Sequence, residues 1–563
     1  MISDLPAGST RNPHSGLPST YWIVAALAVL CSLAFLFANL RHTQSLSFPV
    51  DDGFIYSNYV LGASTGHPFD YNPGEASGGI TGLGWLLVCT LAYWLLAPFH
   101  ALLGGLAPPE VQAASASLAQ QTGHLLLAAY IPAIVCFALT VVGVYRLALL
   151  TLPPSVRNPR FRDWIAIATA FAVAGDIILV WGTLSGLEVP LSTVLSVWAI
   201  VLLLAEYKRG VLRWSLLLVA FLPWARPDLL AISGASFLWL LFRVLFAPGP
   251  NGRAGALRNL ALYAVAIAAG LAVMSSIYFV GWGRPLPASF YAKVRSLRIG
   301  DTMFTAMRQL LLGGRDFPVI AGAFALLGGL VGILLPPRSA NKPARSDSFW
   351  SSLLVLMVGV IYLLAIMLTL SWFGQEERYT MPLHPFGIVL LGLLAFRLLD
   401  LLPVDRLFAL PLVRPLSLAL VALVLLATDY IWATRQYVVE VRNIRDAHIT
   451  PSLWMRTNIP PGDLIASEPI GAIRLFSGHP TLDIVGLTSP VALGTYRDWP
   501  SSWAMLHSQN PAYFFYYPSL FPGGSPPPWA TEVQRFPVPD NRIAGADPIA
   551  VYKFDWSLYT PAP

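Results

Sequence analysis

The chain has 563 residues, of which 56% are hydrophobic and only 11% are charged. Soluble proteins carry about 25% charged residues, so this composition excludes a soluble enzyme, a disordered chain and a nucleic-acid-coating protein. The net charge is modest, at +6, and the three cysteines all lie in apolar runs, where they form neither a CxxC metal motif nor a disulfide framework. We therefore expect a protein that lives in a lipid bilayer.

A membrane-spanning helix needs about 20 mostly apolar residues. The chain holds about a dozen such runs, which predicts an all-α polytopic membrane protein with about 11–12 spans. The first run follows a polar tail and has no small-residue cleavage pattern behind it, so we expect an uncleaved helix. The runs lie at residues 21–40, 82–103, 125–152, 164–184, 187–205, 211–224, 228–246, 257–281, 318–336, 350–371, 383–399 and 416–433.

Lys and Arg in short loops mark the cytoplasmic side of a membrane protein. Five groups of three basic residues fall in alternate loops here, which are expected to be cytoplasmic. One group does not fit. If the N-terminus is cytoplasmic, counting the runs places the loop that contains Arg157 outside. Either residues 104–123 hide a short crossing or re-entrant segment, or one basic loop breaks the rule.

The composition changes near the C-terminus. Residues 434–563 hold 18 of the 47 prolines and have no spanning run, so short β-prone pieces there predict a small α/β domain outside the membrane. We expect residues 1–20 to form a cytoplasmic tail and residues 21–433 to form the transmembrane domain. Within that domain, residues 41–81 are expected to be an external loop.

Residues 51–85 are the most informative stretch of the chain. Asp51 and Asp52 follow the first span by about ten residues, which places them near the outer membrane surface. Adjacent carboxylates repel, so such a pair can serve as a general base or as an oxygen ligand for Mg²⁺ or Mn²⁺. An Asp doublet alone is equally typical of a solvated turn or a helix cap. Here it precedes a short interfacial helix, a Tyr71–Glu75 turn and a glycine-rich segment.

This order of features resembles the first external loop of polyprenyl-phosphate-sugar glycosyltransferases of the GT-C class. The branch that it most resembles contains the mycobacterial and corynebacterial terminal arabinofuranosyltransferases. Later motifs also match: SGLEVPL at 185–191, RPD at 226–228, LPASFYAK at 286–293, RYTMPLHP at 378–385, IGAIRLFSG and LDIVGLTSP. The chain departs from the family after the NPGE turn, where it has Ala76 to Trp85 in place of a basic residue and a GYTNPLW-like ending. That difference concerns the sugar and the acceptor more than the class.

The resemblance implies a GT-C helical bundle with a small external C-terminal domain. It also implies an inverting transferase in a bacterial inner membrane, with the active site facing the periplasm or the outside. The donor would be a polyprenyl-phosphate sugar, expected to be an arabinofuranose, and the acceptor an external glycan, lipid or protein. Asp51 is our choice for the general base, with Asp52 positioning it or holding Mg²⁺ or Mn²⁺, and the reverse assignment stays open. The chain has no G-x-G-x-x-G nucleotide motif.

Basic residues are normally enriched in cytoplasmic loops, so a cluster of them in a predicted external loop is unusual. We expect Lys293 to bind the donor phosphate, helped by Arg295 or Arg298, and the alternative is that these residues anchor lipid head groups. Arg378, at another predicted external helix end, is a second phosphate candidate.

Three further residues are expected to contact the substrate. Tyr56 lies in the short helix after the Asp doublet, and Glu188 lies at an outward helix end, where the helix dipole alone would favour a carboxylate. Arg226 and Asp228 flank a proline between two apolar runs. An intramembrane charge pair suggests function, but a structural salt bridge at a helix break explains the pattern as well.

Other functions stay open at this point. If the protein is a glycosyltransferase, the alternative to arabinofuranose as the donor sugar is mannose or aminoarabinose. A transporter or lipid flippase would instead place acidic or polar residues near helix midpoints, in paired broken helices. A non-catalytic receptor with a glycan-binding outer domain is the third alternative.

Overall fold

The computed structural model describes residues 18–153, 159–293, 328–330, 333–334, 342–369, 378–399, 413–496 and 498–560. Over these ranges, long apolar helices form a bundle, and a small mixed sheet follows near the C-terminus. The predicted fold class, a helical membrane bundle with a small α/β region, is confirmed.

The helices of the bundle's first half are α1 (Pro18–Thr43), α2 (Asp52–Ser64), α3 (Leu83–Leu96), α4 (Pro109–Ala114), α5 (Ala116–Thr151), α6 (Pro159–Ala174), α7 (Ile177–Thr183), α8 (Val189–Lys208), α9 (Trp214–Ala225) and α10 (Leu230–Phe246). The remaining helices are α11 (Gly252–Trp282), α12 (Ala288–Lys293), α13 (Lys342–Thr369), α14 (His384–Leu399), α15 (Val413–Trp432), α16 (Val438–Ile444), α17 (Thr450–Asn458), α18 (Gly471–Ser477) and α19 (Trp499–Gln509).

Nine helical runs of the described residues are long and apolar enough to cross a membrane, and each coincides with one predicted run. The predicted run at 164–184 is a pair of helices, α6 and α7, with a 55° bend between them, and the run at 211–224 is the shorter helix α9. Most of the run at 318–336 lies outside the described residues. The chain is therefore a multi-pass integral membrane protein.

The second apolar run begins and ends at the same end of the bundle. It consists of α3 and a 3-10 helix at Ala97–Leu106. At its start, the Gly82 N–H donates to the hydroxyl of Tyr56, in the helix that follows α1 (3.0 Å). At its end, the Leu106 carbonyl accepts from the N–H of Leu46, three residues beyond α1 (2.8 Å). The run therefore does not cross from one end to the other. Its exposed side chains include Leu87, Leu91, Leu95, Phe99 and Leu102, as is typical of a helix lying at the membrane surface.

This surface run, residues 83–106, removes the conflict with the loop rule. α1 and α5 are antiparallel, because Tyr21 packs edge-on against Tyr145 (5.5 Å) while Tyr130 donates to the Ser47 carbonyl (2.8 Å). α5 thus returns the chain to the end where α1 begins, and it finishes there at Thr151, shortly before Arg157 in the sequence. Neither explanation offered from the sequence is needed, since apolar length alone cannot distinguish a crossing helix from a surface helix.

Helix ends that border loops rich in Lys and Arg lie together at one end of the bundle. Lys208 Nζ lies 3.6 Å from Asp347 Oδ2, and the Ser348 hydroxyl donates to the Thr151 carbonyl (2.5 Å). These contacts join the ends of three helices. We call this the basic end of the bundle, and we call the opposite end, where α1 finishes, the site end.

A continuous helical run leads from the bundle to the sheet. α15, α16 and α17 are joined by two π-helical turns, at Ala433–Tyr437 and Arg445–Ile449. The boundary predicted at residue 433 therefore falls inside a helix. Apolar composition stops there, but the helix continues because Val438, Val441 and Ile444 remain buried on one side.

The C-terminal sheet has five strands in the order β4-β3-β5-β7-β6, and β3 pairs in parallel with both β4 and β5. All four residues of the aromatic strand β5 are buried, so this segment forms part of the core. The strands are β1 (Asp70–Asn72) and β2 (Glu75–Ala76), which form a separate hairpin, then β3 (Ile465–Ser467), β4 (Thr481–Asp483), β5 (Tyr513–Tyr516), β6 (Ala530–Phe536) and β7 (Ile549–Phe554).

The surface position of residues 83–106 predicts the side on which two exposed positions lie. In a variant without the native cysteines, Thr65→Cys and Ala114→Cys should react from the same side of a sealed membrane with an impermeant maleimide. Arg209→Cys, at the basic end, should react only from the other side. Labelling of Thr65→Cys and Ala114→Cys from opposite sides would mean that residues 83–106 cross the membrane.

Candidate functional site

Asp51 joins the loop after α1 to the C-terminal region. Its carboxylate accepts hydrogen bonds from the backbone N–H groups of Gly471 (2.6 Å) and Ala472 (2.9 Å), at the start of α18. Its Oδ1 also lies 3.2 Å from Nδ1 of His448. Both oxygens of this buried carboxylate are therefore in use, and Asp51 caps α18.

The surroundings of Asp51 favour its charged form. Burial by itself raises the pKa of Asp51, but His448 and the two backbone donors outweigh burial and bring the pKa below its usual value. His448 is held in turn by the Tyr517 hydroxyl, 2.9 Å from Nε2. These partners make Asp51 a weaker base than a free aspartate, because they stabilise its charged form, and this argues against its expected role as general base.

Asp52 has different surroundings. Its Oδ2 lies 2.6 Å from Nη1 of Arg378, which is 326 residues away in the chain. The side chain of Asp52 is 34% exposed, whereas that of Arg378 is 10% exposed. Asp52 therefore combines a cationic partner with access for a substrate, and the geometry favours the reverse of the first assignment.

Arg226 holds several groups beside this pair. It is 1% exposed. Its Nε and Nη2 donate to the two oxygens of Asp228 (3.0 and 2.8 Å), and its Nε lies 3.7 Å from Glu188 Oε1. Its Nη1 donates to the backbone carbonyl of Arg378 (3.3 Å). A buried guanidinium with two acids and a carbonyl is fixed in place, so Arg226 positions the segment that carries Arg378.

Two tyrosines that were not predicted from the sequence, Tyr362 and Tyr379, also contact these charged groups. The Tyr362 hydroxyl lies 2.5 Å from Asp228 Oδ2 and donates to it. The guanidinium groups of Arg226 and Arg378 lie 5.0 and 5.4 Å from the ring centroid of Tyr379, within cation–π range. In the sequence, Tyr362 is distinguished only as the single tyrosine in the apolar run at 350–371.

Tyr56 reaches the same region from α2. Its hydroxyl accepts from the Gly82 N–H and forms a hydrogen bond with Glu188. Burial, followed by the charge of Glu188, raises the pKa of Tyr56 well above its usual value, so the phenol stays neutral. A Cβ at Gly82 would meet the Ala225 carbonyl at 2.4 Å, which explains the glycine.

These residues form one group at the site end, which we call the acid–arginine cluster. It contains three carboxylates and two guanidiniums, so its charges nearly balance. The predicted residues Asp52, Tyr56, Glu188, Arg226 and Arg378 are brought together, whereas Asp51 is not. The cluster comprises Asp52, Tyr56, Glu188, Arg226, Asp228, Tyr362, Arg378 and Tyr379.

The other predicted phosphate ligands are not placed. Lys293 is the last residue of α12, but its side chain, like Arg295 and Arg298, lies outside the described residues. α12 does begin near the cluster, because the hydroxyls of Ser289 and Thr81 lie 3.0 Å apart, next to Gly82. A phosphate role for the three basic residues stays a prediction.

The described residues do not build a metal site around Asp52. No group of three His, Cys, Asp or Glu side chains suited to a metal ion occurs among them. Asp52 supplies one carboxylate, and Arg378 already neutralises it. Mg²⁺ or Mn²⁺ would need its other ligands from a substrate phosphate and water, so the expected cation stays a prediction.

Three solved structures share this architecture. ArnT from Cupriavidus metallidurans, bound to undecaprenyl phosphate, matches 97% of this chain and 100% of its own, with a TM-score of 0.54 and 14% identity. The Archaeoglobus fulgidus oligosaccharyltransferase in the apo form matches 89% of this chain and 70% of its own, with a TM-score of 0.52 and 14% identity. The archaeal oligosaccharyltransferase AglB from the same organism, in complex with an inhibitory peptide and a dolichol-phosphate, has a TM-score of 0.50 and 13% identity. The match covers 89% of this chain and 70% of AglB.

Sequence comparisons add one family match. Residues 437–559 match a family described as a domain of unknown function, DUF8728. None of the curated proteins matches the sequence. The structural similarities show the GT-C fold that the sequence resemblance predicted, and the arabinofuranosyltransferase branch stays a prediction.

The partners of Asp51 predict its effect on stability. Asp51→Asn should lower the free energy of unfolding at neutral pH by about 3 kcal/mol, because it leaves buried partners without their carboxylate. The difference in unfolding free energy between the wild type and Asp51→Asn should be fully present above the usual pKa of Asp. It should disappear as the pH falls through the lower pKa of Asp51 in the folded protein. Melting curves from pH 7 to pH 3 measure this difference.

The matched control is Asp540→Asn, which changes an exposed aspartate in the C-terminal region. It should melt like the wild type throughout. If Asp51→Asn also melts like the wild type at neutral pH, Asp51 does not hold α18.

Proposed function

We propose that this protein is a membrane glycosyltransferase that transfers a sugar from a polyprenyl-phosphate donor to an acceptor hydroxyl. The ion pair between Asp52 and Arg378 carries the proposal, because it puts a partly exposed carboxylate beside a buried guanidinium in a GT-C bundle. Solved proteins of this fold contain undecaprenyl phosphate and a dolichol-phosphate, which supports a lipid-linked phosphate as donor.

In the proposed reaction Asp52 is the general base. It accepts the proton of the acceptor hydroxyl while that oxygen forms a bond to the anomeric carbon of the sugar. The bond from this carbon to the phosphate oxygen breaks, and its electron pair stays with the phosphate. Attack from the opposite side inverts the anomeric centre. Arg378 stabilises the negative charge of the leaving phosphate.

Arg378 also links donor binding to the base. Its Nη1 is the group that neutralises Asp52 in the structure. A donor phosphate at Arg378 competes for the same N–H groups and weakens the ion pair. We propose that donor binding in this way frees the Asp52 carboxylate to meet the acceptor hydroxyl.

The remaining predicted residues have two kinds of role. Tyr56 and Glu188 lie at the edge of the cluster nearest the glycine-rich segment, and we propose that they contact the sugar or the acceptor. Arg226 is buried under its two acid partners. For Arg226 the structural ion pair is therefore the better-supported alternative, and it acts as a positioning residue.

The finer assignment rests on the sequence motifs. The first-loop order supports arabinofuranose or a related pentose as the sugar, with mannose and aminoarabinose as alternatives. The loop rule supports a cytoplasmic basic end and therefore a site end that faces outward, and the family resemblance supports a bacterial inner membrane. The acceptor is then an external glycan, lipid or protein.

A transporter is the less supported alternative. Transporters bind their substrates near the membrane midplane, where paired broken helices expose polar groups. The described charges of the acid–arginine cluster instead lie at helix ends, because Glu188 precedes α8 and Arg226 follows α9.

Asp52→Asn should lower the rate of sugar transfer by at least about 100-fold, because the amide cannot accept the proton. The assay uses full-length protein in detergent and synthetic polyprenyl-phosphate donors, with arabinofuranose, mannose and aminoarabinose compared in parallel. Because Asp52→Asn also leaves the buried Arg378 without its carboxylate, melting is measured alongside and transfer rates are compared per folded protein. Arg378→Lys keeps a positive charge and should retain more activity than Arg378→Gln.

Asp540→Asn serves as the matched control and should transfer sugar at the wild-type rate. Full activity of Asp52→Asn would overturn the proposed base. Loss of transfer in Asp51→Asn without a change in melting would restore the first assignment.

A further inference from the structure

A polar cavity lies at the site end, apart from the acid–arginine cluster. Its volume is about 570 Å³. It is bounded by α2, the surface run 83–106, the start of α5, and the segments around α17 and α18. The residues that matter to its chemistry are Asn58, His100, Ser117, Gln121, Arg456 and Arg474.

The cavity and the cluster lie on different faces of α2. Successive helix residues are rotated by about 100°, so Asp52 and Tyr56 are only about 40° apart. Asn58 and Leu61, which line the cavity, are rotated from Asp52 by about 240° and about 180° on the same basis. A ligand in this cavity would therefore not occupy the proposed transfer site.

Two arginines in the cavity lack acidic partners. Arg456 donates to the Phe476 carbonyl (3.2 Å), and Arg474 donates to the His479 carbonyl (3.4 Å). Within the described part of the chain, no carboxylate lies within 4.0 Å of either guanidinium. Nε of Arg474 is buried without a hydrogen-bond partner. This differs from the cluster, where each guanidinium is paired with an acid.

Uncompensated charge of this kind is costly for Arg474, which is half-buried, whereas Arg456 is exposed to solvent. Burial lowers the pKa of Arg474, and Tyr71 offsets burial only in part. Two guanidiniums from separate helices can donate to different oxygens of one phosphate, which has more acceptor oxygens than a carboxylate. Ser117 and Gln121 add neutral donors at the same cavity. The chemistry of the lining therefore matches a phosphate group.

The position of the cavity indicates how such a phosphate arrives. Tyr93 and His100 belong to the surface run and line the cavity. Their neighbours Leu91, Leu95 and Phe99 are exposed apolar side chains. A phosphate at this depth would have lipid on one side and water on the other, as the head group of an amphiphile does.

We propose that this cavity is a second phosphate-binding site, formed by Arg456 and Arg474, for a lipid head group or a soluble phosphate ester. The site joins the surface run to the C-terminal region. It depends on no step of the proposed sugar transfer, because its residues are separate from Asp52 and Arg378.

The test measures phosphate binding by full-length purified protein. In the first arm, nanodiscs hold equal amounts of phosphatidylglycerol and phosphatidylcholine, and the lipid retained on extraction is identified by native mass spectrometry. In the second arm, glycerol 1-phosphate is titrated in detergent. Arg456→Gln combined with Arg474→Gln should weaken binding of the retained ligand by at least about 10-fold, through loss of charge-assisted hydrogen bonds. Preference for phosphatidylglycerol identifies a head group, and binding in the second arm alone identifies a soluble ester.

Two further variants keep the result interpretable. Ser117→Glu puts a carboxylate at the exposed rim, in the first turn of α5, where a helix tolerates it well, and it should weaken binding without removing either arginine. Arg535→Gln combined with Arg542→Gln removes two exposed charges from the same region and should bind like the wild type. The proposal is overturned if no phosphate ligand binds, or if the cavity variants bind as well as this control.

Discussion

The hydrogen bonds from α18 to Asp51 are the interaction on which the site end depends. Asp51 and Asp52 are neighbours at the start of a helix, so holding one carboxylate sets the direction of the other. Gly471 and Ala472 hold Asp51 on the C-terminal region, and Asp52 is left to face Arg378. The carboxylate of Asp51 thus adds a direct link between the loop after α1 and the C-terminal region, beside the continuous helical run that also joins them.

Charge balance explains why the acid–arginine cluster can exist at the edge of the membrane. Removing a guanidinium from water costs several kcal/mol, and excellent geometry is needed to offset that cost. Arg226 meets this requirement by donating hydrogen bonds to both oxygens of Asp228 and to a backbone carbonyl, and by lying close to the carboxylate of Glu188. Dipoles and charges held in place before the reaction do not need to reorganise when charge moves, which is the main electrostatic advantage of an enzyme site.

The surface run lies along the site end of the bundle, packed against α2 and α5. Its apolar side chains face outward, while its polar contacts, such as the pair formed by Nδ1 of His100 and Nδ1 of His124 (2.9 Å), face the protein. The acid–arginine cluster and the cavity of Arg456 and Arg474 lie on different faces of α2. The arginines of the cluster are paired with acids, whereas those of the cavity donate only to backbone carbonyls among the described residues.

Much of the fold was predictable from the sequence, because apolar length, loop charge and motif order are local properties of the chain. These properties predicted a multi-pass membrane protein, the positions of its apolar runs and most members of the acid–arginine cluster, including Glu188 and Arg226. Tertiary structure alone decided which of the two adjacent acids is anchored, because the partners of Asp51 and Asp52 are hundreds of residues away in the chain. It also decided that residues 83–106 lie along the surface, since a crossing helix and a surface helix have the same apolar length and differ only in what their ends contact.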